Sequence, residues 1–172
     1  SVNTTMATAV QRFLNFEMGR RNIEALNRIF NTSVIIHIFI ALFVFLLLES
    51  IGIWFLNYQM KIDPDKLGAA NWVFQFSILT FVVSVLSVPY DATIIANEHM
   101  KAYAFVSIIE VSLKLMVAFA ITWFEFDKLK LYAVLIFCVS LILRLVYGVY
   151  AKKHFAETKF RWQWNKALFR EM

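Results

Sequence analysis

Apolar residues fall in long unbroken blocks along this chain, with neither the strict alternation of strands nor the narrow stripe of a water-soluble helix. Four blocks, at about 29–56, 69–96, 102–124 and 129–151, each reach the roughly 20 residues that a helix needs to cross a bilayer core. Lipid cannot satisfy backbone polar groups, so such blocks must be helical along their length. The pattern predicts an all-α, polytopic transmembrane helical bundle with four full spans. At about 1.5 Å per residue the first block runs to roughly 42 Å, so it must tilt or protrude.

The segments between blocks are short and punctuated. Asp63-Pro64 reads as a helix N-cap followed by proline at the first helical position, and Asp127 is placed to cap the fourth span. Spans one and two, and spans three and four, are therefore expected to form tight antiparallel hairpins. Ahead of the first block, Val2, Met6, Val10 and Phe13 recur at near-helical spacing and predict an N-terminal helix. We expect it to be the end of a preceding span rather than an interfacial helix. Beyond the fourth block, residues 152–172 mix base and aromatic (Lys159, Phe160, Arg161, Trp162, Trp164, Lys166, Phe169, Arg170), which predicts a helix on an anionic leaflet or a linker to a further span. Residues 1–172 read as one membrane-embedded segment: 1–28 before the first span, 29–151 with four spans, and 152–172 as a linker helix. Ser1 and the stop at Met172 suggest a fragment.

Composition strengthens this reading. The chain is 60% hydrophobic and holds 18 phenylalanines, with a mean hydropathy of +0.65. A net charge of +5 could indicate nucleic acid, but its distribution points to topology instead. Arg12, Arg20, Arg21, Arg28, Lys101, Lys152, Lys153, Lys159, Arg161, Lys166 and Arg170 would share one side, against Lys61, Lys66, Lys128 and Lys130 on the other. The positive-inside rule places both termini in the cytoplasm. No nucleic-acid partner is expected. Cys138 is alone, and His37, His99 and His154 lie on different segments, so neither an internal disulfide nor a metal or other cofactor is anticipated. An interhelical hydrogen bond is the simplest expectation for His37.

Polar residues inside the blocks line up. Ser77, Thr80, Ser84, Ser87 and Asp91 follow at steps of 3, 4, 3 and 4, and so project from one side of the second span. Tyr103, Ser107, Glu110 and Lys114 do the same in the third, and Ser140, Arg144 and Tyr147 in the fourth. Small hydroxyls also serve packing between membrane helices, but full charges cost roughly 2.5–3.5 kcal/mol each near a helix centre on insertion scales. From helix rise, Glu110 lies about 13 Å in from Lys101, and Arg144 about 12 Å in from Lys152, at matching depth. Lys114 is the i+4 partner of Glu110. One acid between two bases leaves a cation over, and arginine and lysine suit a phosphate. Arg144 and Lys114 are thus the candidate anion-binding pair, with Glu110 and Asp91 countering them in a polar cavity faced by the hydroxyls. Pro89 removes a helical hydrogen bond and is a candidate hinge. Metal–diphosphate, nucleophile-elbow, zinc-protease and phosphate-loop motifs are missing, so no catalytic residue is expected and the chain does not read as an enzyme.

Three stretches, QRFLNFEMGRRN (11–22), SVPYDATIIANEHMKAYAFVSIIEVSLKLMVAF (87–119) and FDKLKLYAVLIFCVSLILRLVYGVYAKKHF (126–155), resemble polysaccharide (O-antigen type) flippases of the MOP exporter superfamily, nearest to Bacteroides-like versions. The resemblance covers nearly the whole chain through loose motifs. It implies a larger two-lobed transporter working by alternating access, of which this chain is part of the first lobe, with FRWQWNKALFREM leading into the next span. It also implies a lipid-linked oligosaccharide (undecaprenyl diphosphate) as substrate, the bacterial inner membrane as location, the lipid bilayer and the remainder of the same transporter as partners, and cationic cavity residues, for which Arg144 and Lys114 match by location. A multidrug or cation exporter of the same superfamily and a non-transporting membrane scaffold are the alternatives.

Overall fold

The structure, a computed structural model, describes residues 2–123 and 127–161. It is helical, with no strand among the described residues. Helix α1 (Val2–Gly19) leads by a short turn into α2 (Ile23–Leu47), which continues through π-helical turns at Leu48–Gly52 and Phe55–Gln59. Then come α3 (Pro64–Ala96), α4 (Met100–Trp123) and α5 (Lys128–His154), with a short 3₁₀ turn at Ala156–Thr158. Four helical stretches are long and apolar enough to cross a membrane: Ile23–Gln59, Pro64–Ala96, Met100–Trp123 and Lys128–His154. The four expected spans are all present, and the chain has the fold of a multi-pass membrane protein. Most of the helix expected over 152–172 lies outside the described residues.

The first span is longer than its apolar block, at 37 residues. That is about 55 Å of helix against a hydrocarbon core of about 30 Å, so it tilts or projects. Its C-terminal part is tied to α3 by polar side chains. Asn57 and Asn71 exchange amide hydrogen bonds at 3.1 and 2.9 Å, and Gln75 Nε2 donates to Glu49 Oε2 at 3.2 Å. Glu49 thus accepts a hydrogen bond from a neighbouring amide.

Helix α3 is the centre of the bundle. Of its most apolar window 44% is buried, against 11% for α4, and α1, α2 and α5 all pack on it. The α3–α5 seam is carried on α5 by Val139, Leu143, Tyr147 and Ala151, all buried and four residues apart. Val10 and Leu14 of α1 are buried against Leu26, Ile29, Ala92 and Ala96, so α1 is a packed member of the bundle. Pro89 lies fully buried within an unbroken α3, and its carbonyl accepts from Thr93 Oγ1 at 2.8 Å.

One end of the bundle gathers the α1–α2 turn, the α3–α4 turn and the segment after α5. Both turns pass through a left-handed residue that is not glycine, Arg21 (φ 53°) and Glu98 (φ 57°), a conformation that ordinarily favours glycine. At the other end Asp127 caps α5 through Leu129 N (3.2 Å), as expected. Asp63 precedes Pro64 at the start of α3, but its side chain makes no cap bond and instead pairs with Lys66 at 3.7 Å.

Candidate functional site

The polar face of α3 meets α5 along two successive hollows. The larger, of about 320 Å³, lies nearer the start of α3 and is lined by Ser77, Thr80, Phe81 and Ser84 of α3 and by Tyr132 and Ile136 of α5. The smaller, of about 130 Å³, is bounded by Ser84, Ser87 and Asp91 of α3, Glu110 of α4, and Ser140 and Tyr147 of α5. Ser84 belongs to both. Six residues singled out by their spacing thus converge on one cavity from three helices. Ser107 stands beside it and interacts with the Tyr147 hydroxyl.

The hydroxyls are largely satisfied at home. Ser77, Thr80, Ser87, Ser107 and Ser140 each donate to the carbonyl four residues back, at 2.8–3.0 Å. Their oxygens remain free to accept, so the cavity wall offers acceptors more than donors. Ser84 differs: it receives the amide of Asn3 from α1. Asn3 Oδ1 and Asp91 Oδ1 are both buried without a hydrogen-bond partner. The like charge of Glu110 and the opposite charge of Arg144 both reach Asp91, yet among the described residues no carboxylate forms an ion pair with Arg144.

The two cations do not line this cavity together, and here the sequence expectation is corrected. Lys114 turns outward, its side chain 52% exposed, and pairs with Glu110 Oε1 at 2.5 Å. Arg144 was expected to share a face with Ser140 and Tyr147. The α5 seam, however, advances in steps of four through Leu143 and Tyr147, which leaves Arg144 at its edge. There the guanidinium lies over the Tyr90 ring, 3.9 Å from its centroid, in a separate groove of about 290 Å³ shared with Leu145, Gly148, Val149 and Lys152. Tyr90 is itself held by an edge-on contact with Phe30 at 5.2 Å. The charges are segregated, with acids in the cavity and Arg144 on the other side of the seam.

His37 is also corrected. It is buried, and its Nδ1 lies 2.7 Å from the Ser33 carbonyl of its own helix, so no interhelical bond is made by that nitrogen. A carbonyl only accepts, hence Nδ1 carries the proton and the buried, unpartnered Nε2 presents its lone pair.

Three contributors escaped the sequence reading: Asn3, Tyr90 and Gly148. Nothing along the chain pairs Asn3 with Ser84 or Tyr90 with Arg144. The i, i+4, i+8 relation of Arg144, Gly148 and Lys152 was there to be read. No group of three or more potential metal ligands occurs among the described residues. No family model, curated protein or solved structure matches the chain.

Proposed function

We propose that this chain is part of the first lobe of a transporter that flips an undecaprenyl-diphosphate-linked oligosaccharide across the bacterial inner membrane by alternating access. The observation that carries the reading is the polar cavity among apolar spans. Ser84, Ser87, Asp91, Glu110, Ser140 and Tyr147 open a hydrophilic space at a depth where a purely structural bundle would close over apolar side chains. The larger hollow extends the space along α3 with a mainly apolar wall, in which Ser77 and Thr80 carry the hydroxyls on. Beside it, Arg144 has no carboxylate partner among the described residues and supplies the cation for a diphosphate. Lys114 serves Glu110 first, and its contribution to the headgroup is secondary. The basic-rich end is cytoplasmic in this reading.

The test is the sidedness of the lipid-linked oligosaccharide in cells that depend on the full-length protein. Arg144→Ala should accumulate it on the inner leaflet, and Lys114→Ala should do so to a lesser degree. Unchanged export in both variants overturns the headgroup role. The two acids in the cavity favour one other reading, export of an organic cation. Efflux of a cationic dye that is lost in Asp91→Asn, with lipid export intact, would select it.

A further inference from the structure

The Arg144 groove has a geometry of its own. Helical side chains ordinarily lean toward the N-terminus of their helix, but Arg144 runs the other way. A Cβ placed on Gly148 would stand 3.0 Å from Arg144 Nη1, so the guanidinium lies along the following turn. It snorkels toward the end of α5 that carries Lys152, Lys153 and His154. Gly148 makes room for it, and the Tyr90 ring backs it. One turn beyond Gly148, Lys152 completes the groove. The rims are apolar and open: Leu145 is 66% and Val149 64% exposed.

We propose that this groove binds the phosphate of an anionic phospholipid from the surrounding leaflet, between Arg144 and Lys152, with an acyl chain along Leu145 and Val149. The occupant follows from complementarity of charge and polarity. Two cations sit at one end of a lipid-facing helix with no ion pair to either among the described residues, and the surface flanking them is hydrocarbon. A guanidinium fork and an ammonium about two helical turns apart bracket a phosphate more naturally than a carboxylate. Asp91 senses the Arg144 charge but faces the cavity across the seam, so it does not occupy the site. The proposal rests on the membrane-spanning fold and shares Arg144 with the transport reading; Lys152, which that reading does not use, separates the two, because Lys152→Gln should lose the phospholipid with export intact.

The experiment is native mass spectrometry of the full-length protein in detergent, titrated with phosphatidylglycerol or phosphatidylcholine. Wild type should retain phosphatidylglycerol preferentially. Arg144→Gln and Lys152→Gln should each weaken that retention about fivefold, the value of one basic residue near an anionic surface. Gly148→Leu, which keeps both charges but displaces the guanidinium, should weaken it too, and Lys130→Gln at the opposite end of α5 should leave it unchanged. Exposed Lys152 gives a variant that folds even where Arg144→Gln fails to. Equal retention of the two lipids overturns the proposal. So does an equal loss in Lys130→Gln, which would mean general charge attraction. Full displacement of the lipid by millimolar inorganic phosphate would reduce the groove to a simple anion site and also overturns it.

Discussion

The segment after α5 is fastened to α2 by two asparagines, and this clasp permits a quantitative test. Asn27 Nδ2 donates to the carbonyls of Glu157 (2.8 Å) and Lys159 (2.9 Å). Asn31, fully buried, accepts from Arg161 N at 2.7 Å and donates more weakly to the Lys159 carbonyl at 3.3 Å. The Asn31→Leu substitution keeps the branching of the side chain, adds some bulk, and removes the acceptor. Asn27 loses the amide that Asn31 donates to it, but the Lys159 carbonyl keeps Asn27, so within the segment after α5 the loss falls on the Arg161 amide. One net hydrogen bond is worth about 0.5–1.5 kcal/mol, which is roughly a 2- to 12-fold rise in amide exchange where local opening limits it. Asn27→Leu removes both of its bonds to the segment and one of the acceptors of the Asn31 amide, so its effect should spread over residues 157–161 and reach roughly 5- to 150-fold for about 1–3 kcal/mol. Hydrogen exchange with residue resolution on the protein in nanodiscs reads both. An unchanged Arg161 amide in Asn31→Leu refutes the clasp. A uniform loss of protection across α2–α5 would also refute it, because the substitution would then be acting on the whole bundle.

Asp91→Asn should raise the unfolding temperature in detergent. It removes a buried carboxylate oxygen without a partner, a defect of about 1–3 kcal/mol, and each kcal/mol corresponds to about 2–4 °C at this size; a fall would contradict the assignment. Asn57→Leu and Asn71→Leu should each destabilise, while the double variant costs less than their sum, because either single change strands the partner amide in the reciprocal pair. Additive losses in thermal unfolding would dissolve that pair. Tyr90→Leu should cost about 1–3 kcal/mol, combining the cation–π contact with Arg144 and the edge contact with Phe30. In an Arg144→Gln background the cost should shrink, and an unchanged cost would show that the cation contributes nothing.

The spans were legible because lipid leaves the chain little freedom: a block of that length and polarity must be helical and must cross. The π-helical turns at Leu48–Gly52 and Phe55–Gln59 were not, since no residue type encodes them. Periodicity also found the cavity lining, because Ser84, Ser87 and Asp91 are fixed relative to one another by their own helix. It failed for Arg144 for the complementary reason. Residues 140, 144 and 147 do lie on one broad face, but which edge of that face turns inward is decided by the partner helix. Burial of Leu143 and Tyr147 against α3 rotated Arg144 out of the cavity. Glu110 found the nearer of its two candidate bases, as an i, i+4 pair does when a tertiary partner lies across a seam.

The segregation of charge depends on two adjacent residues of α3. Tyr90 and Asp91 point about 100° apart, so one turn of helix offers an aromatic face to the Arg144 groove and a carboxylate to the cavity. A simple brace would have let Arg144 swing to Asp91, whose field it already shares. Instead Phe30 locks the Tyr90 ring edge-on, Gly148 opens the opposite direction, and the guanidinium follows the ring toward the basic end. Collapsing the pair would need loss of the ring contact and reversal of a side chain that already reaches toward the interface. The bundle therefore keeps Asp91 in the cavity and Arg144 in the groove without pairing them, while Glu110 is served by Lys114. That separation makes two binding functions on opposite sides of one seam physically compatible.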